Sequence, residues 1–231
     1  MCFSWVLPRQ IWKGIKAIVS AFNMPTPEAV RAACAHFAAD PNEPDSALFD
    51  LFAQFPNNTN LAHVLLKVVT LNSLYSTQIP LYSKRIPTIW DVVRHIVRLD
   101  MDAELATGSA ALVPKISKIP WKLDRHFHNY SFATKYCSFH QPESYPIWDS
   151  RVNKYLMLLK RQKGFNVDCL GQFKQDDLWD YTKFKELLTQ LRKHFGLEAF
   201  SFKQIDAFLY LEGGKLLAAK EAAKNIVQPA P

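Results

Sequence analysis

Paired cysteines and glycine-rich motifs are both absent from this sequence, and each absence excludes a class of site. The four cysteines lie far apart and form no Cys-x-x-Cys pair, so neither a zinc site nor a redox site is indicated. Only seven glycines occur, and neither Gly-x-x-x-x-Gly-Lys nor Gly-x-Gly-x-x-Gly is present. We therefore predict no metal and no cofactor.

A continuous apolar run is missing at the N-terminus. Residues 1–19 are interrupted by Arg9, Lys13 and Lys16, and they lack the features of a signal peptide. An amphipathic helix over residues 11–22, packed on the protein, is the favoured interpretation, and a membrane-surface helix is the alternative. Scattered cysteines suit a reducing compartment, so we predict a cytoplasmic protein without membrane contact.

The composition indicates one folded domain over residues 1–231. Hydrophobic residues make up 48% of the chain and aromatic residues 13%. Apolar residues recur mostly at a spacing of three to four, which predicts a mainly α-helical fold. The net charge of +7 suits a polyanionic partner.

Local signals mark several helix ends. Thr26 followed by Pro27 predicts a helix start, as does Thr88, and Gly213-Gly214 predicts a helix end.

Residues 131–152 predict a helix, a turn and a second helix. Pro142 ends the first helix, and Pro146 precedes the start of the second. Asp149 lies at that start, where a carboxylate is favoured by the free backbone N–H groups. From the residues alone, Asp149 is an N-cap.

The same segment resembles a known family. Pro146-Ile-Trp-Asp-Ser-Arg-Val152 is similar to the "proline, apolar, apolar, aspartate, small, x, valine" signature of the helix-hairpin-helix DNA glycosylase superfamily. Ala133 stands about where that family keeps an alanine. The run from Phe132 to His140 also resembles proteins with an 8-oxoguanine-glycosylase-like fold. The resemblance covers roughly residues 61–159 and is most specific around Asp149.

This resemblance implies an all-α, helix-hairpin-helix glycosylase-like fold. Its N- and C-terminal helices form one lobe, its middle helices form the other, and the cleft between them holds the aspartate. The implied activity is excision of a damaged or modified base from DNA, with Asp149 stabilising an oxocarbenium-like sugar and positioning water. The flipped base would enter a pocket beside Asp149. Its expected lining residues are His140, Tyr145 and Trp148.

Bifunctional members of the superfamily carry a lysine that forms a Schiff base. Here Ser131 stands at about that position, and Lys135 follows four residues later. We therefore predict a monofunctional glycosylase, with Lys135 as the second catalytic candidate.

The DNA-binding hairpin of the superfamily contains glycines, whereas residues 125–130 of this chain contain none. Side chains are expected to contact phosphate there instead, and a capped surface turn is the alternative. Polar residues after the early helix at residues 61–75 resemble those that fill the gap left by a flipped base, although they suit helix capping equally well. The predicted DNA contacts are Asn72, Gln78, Arg125, His126, His128, Asn129, Arg151 and Lys154.

Two other functions fit the sequence. A DNA-binding module that keeps the fold without the chemistry would explain the glycine-free hairpin. A helical protein–protein module is the third possibility.

Overall fold

The computed structural model describes residues 23–40, 44–121, 125–161 and 172–227. These residues form ten α-helices, one short 3₁₀-helix and one two-stranded ribbon. The predicted helix over residues 11–22 lies outside the described residues. The elements are α1 (Pro27–Ala38), α2 (Asp45–Gln54), α3 (Leu61–Tyr75), α4 (Ile89–Arg98), α5 (Asp102–Ala106), α6 (Leu112–Ser117), β1 (Lys118–Trp121), β2 (Arg125–His128), α7 (Tyr130–His140), α8 (Ser150–Leu159), the 3₁₀-helix (Gln175–Trp179), α9 (Tyr181–His194) and α10 (Phe202–Val227).

The mainly helical fold class is confirmed, and polar side chains start the helices as predicted. The Thr26 hydroxyl accepts a hydrogen bond from the backbone N of Ala29 at 3.2 Å. At the start of α4, the carboxylate of Asp91 accepts from both the backbone N and the hydroxyl of Thr88. These bonds satisfy N–H groups that lack partners within the helix. None of the described helices is long and apolar enough to cross a membrane.

The helices pack in two groups. Helix α10 packs against α1 and α8, while α7 packs against α2, α3 and α6. Helix α4 lies against α3 and the ribbon. The connection from α7 to α8 therefore passes from one group to the other, and Asp149 lies at the end of that connection.

The predicted helix end at Gly213-Gly214 is wrong, because α10 continues through both glycines to Val227. A Cβ at Gly213 would lie 2.4 Å from the backbone O of Arg151. That distance is shorter than any real contact, so the missing side chain lets α10 approach the first turn of α8. Gly213 therefore allows α10 to pack closely against α8 and does not end α10.

Residues 125–128 form a strand instead of the expected hairpin or surface turn. Strand β2 pairs antiparallel with β1, with Lys118 opposite His128 and Ile119 opposite Phe127. Ile119 is buried and Phe127 half-buried, while their neighbours are exposed, which is the period of two of a strand. Asn129 then caps α7 by accepting from the backbone N of Phe132.

A fully buried lysine fixes the turn between α2 and α3. Lys67 is 0% exposed, and its Nζ donates to the carbonyl oxygens of Phe55 and Asn57 at 2.9 and 3.2 Å. It also donates to Oδ1 of Asn58 at 2.7 Å and lies 3.2 Å from Nε2 of His140. Burial lowers the pKa of Lys67 to about 8, although nearby Asp102 opposes the shift.

The same network joins α5 and α7 to this turn. The carboxylate of Asp102 accepts from the backbone N and from Nδ2 of Asn58, at 2.9 and 2.6 Å. The hydroxyl of Tyr136 donates to Oδ1 of Asn58 at 2.6 Å. Burial, aided by the charge of Lys67, lowers the pKa of His140 to about 3. His140 is therefore neutral in the folded protein, and its Nε2 lies 3.2 Å from both Nζ of Lys67 and Oδ1 of Asn58.

Replacing Lys67 by Met is expected to destabilise the protein by roughly 3 kcal/mol, because two carbonyls and one amide oxygen lose a charged donor in the interior. Urea unfolding of both proteins measures the loss. Lys193→Met, at an exposed position of α9, is the control and should change stability by less than about 0.5 kcal/mol. Equal effects of the two substitutions would contradict the structural role of Lys67.

The lowered pKa of His140 implies that the stability of the protein depends on pH. The unfolded chain binds a proton at this histidine below pH 6.5, whereas the folded chain does so only near pH 3. The free energy of unfolding should therefore fall as the pH drops through this window, by up to about 1.4 kcal/mol per pH unit. His140→Gln should flatten the slope between pH 6.5 and 4, measured by urea unfolding at each pH. The exposed His36→Gln should leave it unchanged.

Candidate functional site

Asp149 and Lys135 meet at the junction of α7 and α8. Asp149 is the N-cap of α8, and its Oδ1 accepts from the backbone N of Arg151 at 2.8 Å. Its other oxygen, Oδ2, lies 3.6 Å from Nζ of Lys135. The same Nζ donates to Oγ of Ser131 at 2.6 Å, one helical turn earlier on α7. One carboxylate oxygen therefore caps the helix while the other faces an amine.

Hydrogen bonds hold the segment before Asp149 in an extended form. The Thr134 hydroxyl on α7 accepts from the backbone N of Trp148 at 3.2 Å. From the opposite side, the hydroxyl of Tyr181 on α9 donates to the carbonyl of Pro146 at 3.0 Å. Thr134 and Tyr181 are both buried. Asp149 thus has a defined position relative to α7.

Three further charged side chains lie near this pair. Nζ of Lys203 is 2.7 Å from Oδ2 of Asp45 and 3.4 Å from Oδ2 of Asp206. Burial raises the pKa of Asp206 to about 6, although the charges of Lys203 and Lys135 oppose the shift. The Oδ1 atom of Asp206 has no hydrogen-bond partner among the described residues. This charged cluster joins α2, α7 and α10.

Lys135 is a nearly buried amine whose environment perturbs its pKa. Its side chain is 4% exposed, and burial lowers its pKa, while Asp149 and Asp206 oppose the shift. The side chain of Asp149 is 20% exposed. A buried amine with a lowered pKa reaches the neutral, nucleophilic form more readily than an exposed one. The carboxylate of Asp149 is therefore partly accessible to solvent, and the buried amine of Lys135 lies beside it.

A cavity of about 540 Å³ is lined by neighbours of Lys135 and Asp149, although neither of these two residues lines it. Ser131, which contacts Lys135, and Trp148, which precedes Asp149, both line it. Its aromatic side is built from three rings, with centroids 4.1 Å apart for Trp148 and Trp179 and 5.4 Å apart for Tyr130 and Trp148. The volume falls in the range of small-ligand pockets. We call this cavity the aromatic pocket.

The structure separates the three residues predicted to line a base pocket. Trp148 lines the aromatic pocket. Tyr145 is instead fully buried, with its ring against Tyr181 and its hydroxyl donating to the carbonyl of Leu105. His140 belongs to the Lys67 network and lines a separate cavity of about 430 Å³.

The predicted DNA contacts near α3 differ in their availability. Asn72 is internally bonded: its Nδ2 donates to the carbonyl of Ile79, and its Oδ1 accepts from the backbone N of Ile79. Asn129 caps α7 and donates to the carbonyl of Thr77 at 3.1 Å. Gln78 is exposed with φ of 60°, and it follows the residue that Asn129 holds. Gln78 is thus presented beside the start of α7.

The predicted basic contacts lie on the ribbon and on α8. Arg125, His126 and His128 are exposed on β2, and His128 lines the aromatic pocket. Lys154 is exposed on α8. The guanidinium of Arg151 lies 4.2 Å from the ring centroid of Tyr210, so it is already engaged with α10.

Sequence reasoning missed several residues of the pocket, among them Tyr130, Trp179 and Lys118. Trp179 is 52% exposed and lies against Trp148, and Lys118 stands opposite His128 on the ribbon. Trp179 is distant from Asp149 in sequence, so no local pattern connects them. Within the described part of the chain, no group of three or more His, Cys, Asp or Glu side chains is placed to hold a metal.

Comparison with known proteins identifies a family. The chain belongs to the HI_0787_N family, described as an N-terminal domain, and the match covers residues 29–144. A Haemophilus influenzae protein titled "Uncharacterized protein" is 36% identical over 137 residues, which are 58% of this chain and 62% of that protein. The match therefore spans less than two thirds of that relative. No solved structure matches the chain significantly. The family match includes Lys135 and ends before Asp149.

The cap role of Asp149 gives a stability prediction. Asn is as good an N-cap as Asp, whereas Ala provides no acceptor for the backbone N of Arg151. Asp149→Ala should therefore cost about 1 kcal/mol more than Asp149→Asn. Guanidinium unfolding of the two variants measures the difference. Equal stabilities would show that the hydrogen bond to Arg151 does not stabilise the fold.

Proposed function

We propose that this protein is a DNA N-glycosylase with a helix-hairpin-helix glycosylase-like fold, and that Asp149 is its catalytic carboxylate. The observation that carries the proposal is the Asp149–Lys135 pair, with 3.6 Å between Oδ2 and Nζ, beside the aromatic pocket. The helix–turn–helix from α7 to α8, with Asp149 as the cap of the second helix, also agrees with the resemblance in sequence.

The proposed reaction uses the two parts of the site in turn. A base turned out of the duplex enters the aromatic pocket and packs against the rings of Trp148 and Trp179. As the bond from C1′ to the base nitrogen breaks, the sugar gains positive charge, and the Asp149 carboxylate stabilises it. Water then adds to C1′ and gives up a proton. The base leaves with the bonding electron pair and is protonated.

Lys135 supports a second version of this chemistry. Its Nζ reaches the hydroxyl of Ser131, at the position where the lysine of bifunctional glycosylases is expected. A neutral amine there can add to C1′ in place of water and form a Schiff base with the opened sugar. The lowered pKa of Lys135 favours that form.

The surroundings of the site suit a DNA backbone. Lys118 and His128 line the aromatic pocket, and Arg125, His126 and Lys154 are exposed nearby in the chain. Positive side chains of this kind bind phosphates without reading the sequence. Gln78 is the predicted contact that remains free to enter the duplex.

Base release tests the proposal. Duplexes that each carry one modified base (uracil, hypoxanthine, 8-oxoguanine or an alkylated purine) are incubated with the wild-type protein and with Asp149→Asn, then cleaved with alkali at abasic sites. The wild type should release at least one of these bases. Asp149→Asn should be slower by roughly 100-fold or more while staying folded, because it keeps the cap but loses the charge.

Borohydride separates the two versions of the chemistry. If Lys135 is the nucleophile, reduction during turnover links the protein to DNA, and Lys135→Gln abolishes the link. If water is the nucleophile, base release proceeds without a link. Equal base release by wild type and Asp149→Asn would disprove the catalytic role of Asp149. Salt-dependent DNA binding without base release would favour the non-catalytic binding module.

A further inference from the structure

A second surface combines exposed rings with positive charge. Tyr82 is 86% exposed at the tip of the loop between α3 and α4, and Trp90 is 37% exposed in the first turn of α4. Lys84, Arg85 and Arg94 are exposed around them. We call these five residues the Tyr82 patch. Exposed apolar groups that lie together and are rimmed by polar side chains mark interaction sites, whereas singly exposed ones do not.

Hydrogen bonds on both sides hold the loop that carries Tyr82. Before the tip, the backbone N of Ile79 donates to Asn72. After it, the hydroxyl of Ser83 accepts from the backbone N of Arg85 at 3.0 Å, and the backbone N of Ile89 donates to the carbonyl of Pro80 at 2.9 Å. The exposed ring is therefore presented by an ordered loop, which lowers the entropy cost of binding.

The patch borders a shallow depression of about 600 Å³, lined by Tyr82, Trp90, Lys84 and Arg94 among others. Among the described residues that line it, none carries a carboxylate. The nearest acid along α4, Asp91, is engaged with Thr88 and lies 3.8 Å from Arg94. Asp91 therefore offsets part of the charge of Arg94, while the depression itself is lined by Lys84 and Arg94 without an acidic side chain.

The outer face of α4 extends this charge. Arg94 lies over the ring of Trp90, 5.9 Å from its centroid, and Arg98 is exposed one turn further along the helix. Residues 90, 94 and 98 follow the helical spacing of one face. The opposite face is buried in the core through Ile89, Val93 and others. Helix α4 therefore presents an aromatic ring followed by two guanidinium groups.

We propose that the Tyr82 patch binds unpaired nucleotides of a nucleic acid strand, with bases stacked on Tyr82 and Trp90 and phosphates held by Lys84, Arg85 and Arg94. Rings interspersed with cations form the binding surfaces of single-stranded nucleic acids, because every base has a flat face and every linkage a negative charge. An acidic peptide that lacks aromatic and apolar side chains would use the cations but not the exposed Tyr82 ring.

This inference rests on the proposed function only in taking nucleic acid as the partner. It needs no chemistry at Asp149. Base release by the wild type and binding through Tyr82 are measured separately, so that either can fail without the other.

The test is fluorescence anisotropy of the full chain with a labelled 12-nucleotide oligothymidylate. A second oligonucleotide carries abasic spacers at its central positions, which keeps the phosphates and removes the bases. Tyr82→Ala should weaken binding of the first oligonucleotide by about tenfold, within the range measured for one stacked base. Tyr82→Phe keeps the ring and should bind like the wild type. Lys193→Ala, an exposed charge on α9, is the control for net charge.

For the spacer oligonucleotide, the wild type should bind at least as weakly as Tyr82→Ala binds the intact strand, because stacking on Trp90 is lost as well, and Tyr82→Ala should cause little further loss. Unchanged binding of oligothymidylate by Tyr82→Ala would overturn the proposal. An equal loss of affinity for a duplex of the same length, or for polyglutamate, on Tyr82→Ala substitution would also overturn it, because neither ligand offers unpaired bases to the ring.

Discussion

Charges buried between helices constrain this structure more than any other feature. Lys135 and Lys203 lie with three aspartates at the meeting of α2, α7, α8 and α10. A buried charge that loses its partner costs roughly 3–5 kcal/mol. A shift of any one of these helices would separate such a pair. The cluster therefore fixes the register of the helices around Asp149, although it adds little to the net stability.

The same constraint acts at the other end of α7. There Lys67 and Asp102 enclose Asn58, and His140 is kept neutral beside the ammonium. Helix α7 is thus held by ionic networks at both ends, one structural and one beside a pocket. The two networks differ in their access to solvent. The ammonium of Lys67 contacts only protein oxygens and His140 among the described residues, whereas the side chain of Asp149 is partly exposed to solvent.

The two proposals assign different roles to the aromatic pocket and to the Tyr82 patch. In the proposed function, the aromatic pocket, lined by Trp148 and Trp179, receives a single base. The Tyr82 patch is open and positively charged, which suits a strand rather than a single base. Asn129, which lines the aromatic pocket, donates to the carbonyl of Thr77, and Gln78 follows Thr77 in the loop that leads to Tyr82. An enzyme that unpairs a base needs both a pocket for that base and contacts to the strands around it.

The sequence by itself determined the helical class, the caps at Thr26 and Thr88, and the place of Asp149 at the start of a helix, because these depend on neighbouring residues. It could not show that Gly213 packs on α8 rather than ending α10, since that distinction depends on a distant backbone. Only the tertiary structure decided which side chains surround Asp149. Lys135, Trp179 and the charged cluster come from separate helices, and their meeting depends on how those helices pack.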